Sequence, residues 1–193
     1  MIDHMNFDEA VLPHLDAAYN LARWLTRNDY DAQDVVQEAY LRAFRFFDGF
    51  RGSDARAWLL TIVRNTCYTW LRRNRPPEIS GDFEEAMNDI ESNEPDPETA
   101  QVLKDQQRLV NEAIEELPIE FREVIVLREL EELSYKEIAA VAGIPIGTVM
   151  SRLARARKRL QLALCDTSPD VLLQGLRVSQ SASPDVRAIE VAS

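Results

Sequence analysis

The segment that most restricts the fold is "LSYKEIAAVAGIPIGTVMSRLARARKRL", residues 133–160. Ser134 followed three residues later by Glu137 makes a capping box, so a helix is expected to start just after Ser134. Gly143 stands where that helix should end in left-handed backbone, which glycine adopts without a side-chain clash. A second helix resumes within a few residues, and two short helices joined through a glycine turn make a helix-turn-helix. On a wheel of about 100° per residue, Val149, Leu153, Ala156 and Leu160 share one stripe, the side expected to pack. Ser151, Arg155 and Lys158 point the opposite way, with Thr148, Arg152 and Arg159 on one flank. Hydroxyls near the helix start and guanidinium groups along its length suit phosphates and guanine edges in a major groove. A solvated basic face is the plainer alternative; against it, turn, cap and charge agree at one place.

Charge is distributed very unevenly. Residues 152–160 carry five basic side chains and no acidic one, in a chain whose net charge is −11. The first 75 residues balance, with ten Arg against ten Asp or Glu, whereas residues 76–99 hold nine acidic residues and no Lys or Arg. That acidic stretch opens on Pro76 and Pro77 and closes near Pro95 and Pro97, and it has too few apolar residues to build a core. It reads as a flexible linker. Helical patterning resumes after Ala100 and runs to about Leu164, while strand signals are nearly absent. The expected architecture is all-α. A helical domain over residues 1–75 is followed by an acidic linker over 76–104, a helix-turn-helix domain over 105–165 and a weakly structured tail over 166–193, with one apolar patch at 171–176.

Several function classes find no support. No run of about 18 uncharged apolar residues occurs, and the N-terminal "MIDHMNFDEA" lacks a basic start and an apolar stretch, so a cytoplasmic protein without membrane insertion is expected. Cys67 and Cys165 lie in no CxxC pair, which suggests neither a zinc site nor a disulfide framework, and each is expected to be a small buried hydrophobe. His4 and His14 are the only histidines, and no Gly-rich phosphate loop or metal-ligand spacing occurs. No catalytic residues, metal or cofactors are therefore expected.

The N-terminal block carries two faces of interest. In "DAQDVVQEAYLRAFRFF", residues 31–47, Val36, Ala39, Tyr40, Ala43 and Phe47 make one apolar stripe. Asp34, Glu38, Leu41 and Arg45 face away from it, flanked by Gln37 and Arg42. A leucine among ordered charges fits a partner-binding face, although a single exposed leucine is also ordinary. Residues 49–75 contain six Arg against one Asp. There Leu59, Val63, Cys67 and Trp70 gather on one side, and Thr61, Arg64, Asn65, Tyr68 and Arg72 form a polar stripe on the other. Cations interleaved with an aromatic suit single-stranded nucleic acid, because bases stack on rings while Arg tracks the backbone. Phe50 and Trp58 stand at the entrance as further stacking residues or as core aromatics. Between the two blocks, "LPIEFREVIVLRELEELS" supplies Phe121, Val124, Ile125 and Leu127 to support the helix-turn-helix. Arg122 and Arg128 are expected to be solvated there, within reach of phosphate.

Taken together, "DAQDVVQEAYLRAF", "ARAWLLTIVRNTCYTWLRR", "LPIEFREVIVLRELEELSYKEIA" and "GIPIGTVMSRLARARKRL" resemble the bacterial sigma-70 family, in its small extracytoplasmic-function (ECF) group. The resemblance covers about residues 7–75 and 105–162. It implies that Asp34, Gln37, Glu38, Leu41 and Arg42 bind the clamp helices of the RNA polymerase beta-prime subunit. It implies that Arg51, Arg56, Trp58, Arg64, Asn65, Tyr68 and Arg72 melt and read the minus-10 element as a single strand. Thr148, Ser151, Arg152 and Arg155 would then lie nearest the minus-35 bases, with Lys158 and Arg159 nearer phosphate. Contact with the beta flap, a linker along the RNA-exit path and control by an anti-sigma protein covering the Leu41 and Arg155 faces are further implications. Two positions depart from the family pattern: Met150 stands where many relatives have a basic residue, and Thr69 where an aspartate is common.

A stand-alone helix-turn-helix regulator is the alternative from another class, and it leaves the first 75 residues without a role. On the sigma reading the protein is no enzyme, and its acidity should keep the free chain from binding duplex DNA well.

Overall fold

The computed structural model describes residues 6–52, 54–74 and 107–164, so the whole of the expected linker over 76–104, the whole of the tail over 166–193 and Cys165 lie outside the described residues. The described chain is helical throughout. Helix α1 (Phe7–Val11) leads through a 3₁₀ turn (Leu12–His14) to α2 (Leu15–Thr26), α3 (Asp29–Phe46), a second 3₁₀ turn (Phe47–Gly49) and α4 (Ala55–Asn74). The second half contains α5 (residues 107–115), α6 (Ile119–Ile125), a π turn (Val126–Leu130), α7 (Tyr135–Ala142) and α8 (Ile146–Ala163). No strand occurs among the described residues. The all-α expectation holds.

Local signals account for most of the boundaries. Helix α2 stops where Arg27 turns left-handed at φ 62°, its N–H returning to the Arg23 carbonyl at 2.8 Å. Asn28 then caps α3, its Oδ1 accepting from the backbone N–H groups of Tyr30 and Asp31. Asp54 does the same for α4, accepting from Ala57 N–H at 2.9 Å. The capping box at α7 forms as expected: Glu137 N–H donates to Ser134 Oγ, and Ser134 N–H donates to the Glu137 carboxylate at 2.7 Å. Gly143 closes that helix at φ 67°, and α8 leaves at 101° to α7.

In the first half, α2, α3 and α4 pack pairwise against one another. Ala18, Ala22, Ala32, Ala39 and Ala43 are buried, which brings the helix axes close, and Leu21, Leu25, Val35, Leu59 and Val63 fill the space between. In the second half α6 and α7 both pack on α8. Val149, Leu153, Ala156 and Leu160 are all buried there, the stripe read from the helical period. Each leucine buried in this way stabilises the fold by about 1.5–3 kcal/mol relative to exposure.

The two halves do not stand apart. Helix α7 packs on α4, α6 packs on α2, and one continuous apolar core runs through both. The expectation for Arg122 and Arg128 is corrected by this packing. Arg122 is buried, donating from Nη1 to the Trp24 carbonyl of α2 at 2.9 Å and from Nη2 to the Leu117 carbonyl at 2.8 Å. Arg128 donates to the Leu133 carbonyl at 2.8 Å and lies over the Tyr135 ring. Both guanidinium groups tie segments of chain together, because buried carbonyls need donors and Arg supplies several in a fixed fork.

Candidate nucleic-acid interface

The recognition helix presents its polar residues as the wheel suggests. Ser151, Arg155, Lys158 and Arg159 are exposed, and Thr148 and Arg152 are half-buried. Ser151 Oγ donates to the Thr148 carbonyl at 3.0 Å, so rotation about one bond frees it for a base or phosphate. Arg155 and Lys158 meet no carboxylate within ion-pair distance among the described residues. Arg159 lies over the Phe121 ring, 5.1 Å from its centroid. Arg157, the remaining cation, is held by Glu129 at 2.6 Å and so belongs to the internal structure of this half. Met150 is 53% exposed beside Ser151.

On α3, Asp34, Gln37, Glu38 and Leu41 are exposed and Arg42 is half-buried, all on one face. Leu41 is 54% exposed, and Arg42 Nε donates to Glu38 at 2.8 Å, which orders the charges around it. Phe44 and Phe46 are further exposed apolar side chains near the end of α3, and they were not singled out from the sequence. Their signal was the run "FRFF", in which a helix cannot bury all three aromatics on one side. Phe44 also leans on Phe7, edge to face at 5.2 Å.

The α4 stripe is where structure and expectation part. Arg51, Asn65 and Arg72 are exposed, and Trp58 is half-buried against Phe50 and Phe47, with ring centroids at 4.8 and 6.2 Å. Arg56, Arg64 and Tyr68 face the second half of the protein. Arg64 Nε donates to Glu123 Oε1 at 2.6 Å, and Tyr68 Oη donates to Glu123 Oε2 at 3.1 Å. Arg64 also lies over the Tyr68 ring, 4.2 Å from its centroid. Arg56 donates to Glu131 at 2.6 Å, and Asn20 reaches the other carboxylate oxygen at 3.5 Å.

Glu123 sits on α6 between Phe121 and Val124 with its side chain fully buried. Glu131 is carried inward by the π turn, where its N–H returns to the Val126 carbonyl, and it is also buried. Burial is the largest single influence and works against the Arg64 charge, but the bond to Glu123, the Glu123 charge and the neighbouring Tyr68 together outweigh it and hold the guanidinium more firmly protonated than usual. Burial and the Glu123 charge together push the Tyr68 hydroxyl well above the ordinary tyrosine range. Neither carboxylate was recognised from the sequence as a partner of this stripe. The available signal was an acidic residue enclosed by apolar ones in "FREVIVL", since a carboxylate on a buried face needs a cation or donors.

Further contacts cross between the halves. Arg23 of α2 bridges Asp29 and Glu115, the latter at 3.3 Å. An open cleft of about 270 Å³ lies beside Arg56, lined by His14, Asp16, Asn20, Leu130, Glu131 and Glu132 among others. Burial and the Arg56 charge lower the His14 pKa, with Asp54 opposing. No cluster of three or more metal-ligating side chains occurs among the described residues. Among them, too, no single helix is long and apolar enough to cross a membrane.

A bundle carrying a cationic, aromatic helix, joined to a helix-turn-helix with an exposed basic face, defines a protein built to handle DNA in two places. Comparison with known proteins narrows that class. Residues 10–76 match the model of sigma-70 region 2, and residues 107–160 match that of sigma-70 region 4. The chain is 37% identical over 173 residues to the RNA polymerase sigma-H factor of Pseudomonas aeruginosa, covering 84% of this chain and 88% of that one. It is 42% identical over 138 residues to the ECF RNA polymerase sigma-E factor of Escherichia coli K12, covering 67% and 72%. Among solved structures it resembles the sigma factor RpoE in complex with the anti-sigma factor NepR from Bartonella quintana. That match has a TM-score of 0.67 at 32% identity and covers 84% of this chain and 98% of that one. It also resembles CnrH in complex with the cytosolic domain of CnrY, with a TM-score of 0.58 at 27% identity, covering 84% and 89%. The chain belongs to the sigma-70 family, in its ECF group.

Proposed function

We infer that this protein binds core RNA polymerase and directs it to a subset of promoters, with the second half reading the minus-35 duplex and the first half taking the melted minus-10 strand. The observation that carries this reading is the pairing of an exposed basic recognition face on α8 with the charged face around Leu41 on α3, one for DNA and one for polymerase. Thr148, Ser151, Arg152 and Arg155 are the residues for bases, and Lys158 and Arg159 those for phosphate. Asp34, Gln37, Glu38, Leu41 and Arg42 are the beta-prime contact. Arg51, Arg56, Trp58, Arg64, Asn65, Tyr68 and Arg72 handle the open strand. The beta flap is a further contact of the second half, and an anti-sigma protein is a further partner.

The protein works where the polymerase works, in the cytoplasm. It contributes binding energy alone, with nucleotide chemistry left to the polymerase core. The alternative of a stand-alone regulator does not survive family membership, because the first half then has a defined counterpart. The test is run-off transcription with purified core polymerase and genomic templates, followed by mapping of the 5′ ends. Specific starts sharing two upstream elements are expected. A protein that forms no complex with core on a sizing column, yet footprints a palindrome unaided, would overturn the reading.

A further inference from the structure

Three of the seven candidate minus-10 residues are already engaged, and by carboxylates from the other half of the same chain. Arg64 and Tyr68 hold the two oxygens of Glu123, and Arg56 holds Glu131. A carboxylate offers a guanidinium the same two-oxygen acceptor geometry that a backbone phosphate does. Arg152, on the flank of the recognition helix, lies close enough for its charge to act on Tyr68, so the basic face of α8 approaches the same place. The two glutamates come from different places in the second half, Glu123 from α6 and Glu131 from the residue that closes the π turn after it. They meet α4 at positions eight residues apart, so the contact runs along the helix.

We propose that Glu123 and Glu131 form an intramolecular latch that occupies the single-strand site of α4 and keeps the free protein closed against DNA. This rests on the assignment of that stripe to the melted strand. The same donors cannot serve a glutamate and a phosphate at once, so closing and strand binding exclude each other. The apparent affinity of the free chain is then its intrinsic affinity scaled by the open fraction. The latch also differs from DNA in its response to salt. The Glu123 side chain is fully buried and that of Arg64 only 20% exposed, so ions screen this pair far less than they screen contacts to a strand in water. Raising the salt therefore favours the closed form. A partner that binds both halves in a spread arrangement, as polymerase on a promoter would, releases α4 by drawing the second half away.

The test compares the full-length chain with Glu123→Gln, Glu131→Gln and the double variant, using Glu116→Gln as a control that removes one charge from an exposed position of the same half. Two quantities are read: the radius of gyration by small-angle X-ray scattering, and the affinity for a fluorescein-labelled single-stranded DNA of mixed sequence by anisotropy. The double variant is expected to expand and to bind the strand at least about fivefold more tightly than the parent, with Glu116→Gln doing neither. Equal affinities in the double variant and the control, with no expansion, would overturn the latch. An affinity gain without expansion would also overturn it, since the effect would then be one of charge alone. An expanded variant that gains no affinity would leave the latch standing as a conformational contact and overturn the assignment of the stripe to DNA. If Glu123→Gln lowers the helix content, Glu131→Gln carries both readouts, because its carboxylate lies in a turn beside the cleft.

Discussion

Arg64 and Glu123 lie 59 residues apart and meet through a 2.6 Å bond in which the glutamate is fully buried. Arg42 and Glu38 make a bond of similar length, 2.8 Å, one turn apart on the surface of α3. The difference between the pairs is solvent. In double-mutant cycles read by urea unfolding, the Arg64–Glu123 coupling is expected to reach about 1.5–3 kcal/mol, as for hydrogen bonds to charged groups. The Arg42–Glu38 coupling should stay near 0.3–0.5 kcal/mol and fade with salt. Couplings of equal size would show that the crossing pair is as hydrated as the surface one.

The exposed Leu41 separates binding from stability. Its side chain is 54% exposed, so Leu41→Asp should alter the unfolding free energy by less than about 0.5 kcal/mol. The same change places a charge in an apolar contact and should weaken capture of core polymerase at least about tenfold. Thermal scans and a competition assay for core read the two effects. Loss of stability in step with binding would make Leu41 a packing residue.

The parts of this molecule written in local periodicity were legible from the sequence. The buried stripe of α8, the capping box at Ser134 and the glycine turn all depend on neighbours within a few residues, and each appears as read. The face around Leu41 was legible for the same reason, since α3 packs mainly on helices next to it in the chain. What was not legible is the state of Arg56, Arg64 and Tyr68. A wheel shows them as a polar stripe and cannot show what covers it, because Glu123 and Glu131 arrive from beyond a long acidic segment. Arg122 was misread for the same reason: its partner at Trp24 lies 98 residues away.

His14 gives the inter-half cleft a pH dependence of known sign. Burial, and then Arg56, hold its folded-state pKa below the ordinary value of 6.5. The unfolded chain therefore takes up a proton first, and the contribution of His14 to stability is complete above about pH 6.5 and is lost as the pH falls below it. The melting temperature should drop between pH 7 and about 5.5 by more in the parent than in His14→Gln. Parallel profiles would mean that His14 is equally hydrated in both states. Carboxylates titrate lower and affect both proteins alike, so the difference between the two curves isolates the histidine.

Cys67 should be chemically silent in the folded protein. Burial pushes its thiol up to about 12, with the Glu123 charge adding to the shift and its own backbone and Arg64 opposing. At neutral pH almost no thiolate forms, and the side chain is fully covered by the first-half core. In a Cys165→Ser chain, titration with a disulfide reagent should therefore show labelling only at the rate at which the first half opens. Denaturant should accelerate it in step with loss of helicity. Prompt labelling without denaturant would mean that α4 leaves the core readily.

Met150 is the place to strengthen the recognition helix. It is 53% exposed beside Ser151, on the second turn of α8, where an arginine could reach a phosphate without entering the Val149 and Leu153 packing. One added phosphate contact releases about one more counterion on binding. Met150→Arg should therefore raise duplex affinity of the holoenzyme several-fold at low salt and steepen the slope of log K against log salt by about 0.9. The gain should be similar for unrelated sequences, because phosphate contacts position a helix without reading bases. A gain confined to one minus-35 sequence, with the salt slope unchanged, would instead place the new side chain on a base edge. The melting temperature should not fall, since the methionine it replaces contributes little to the core.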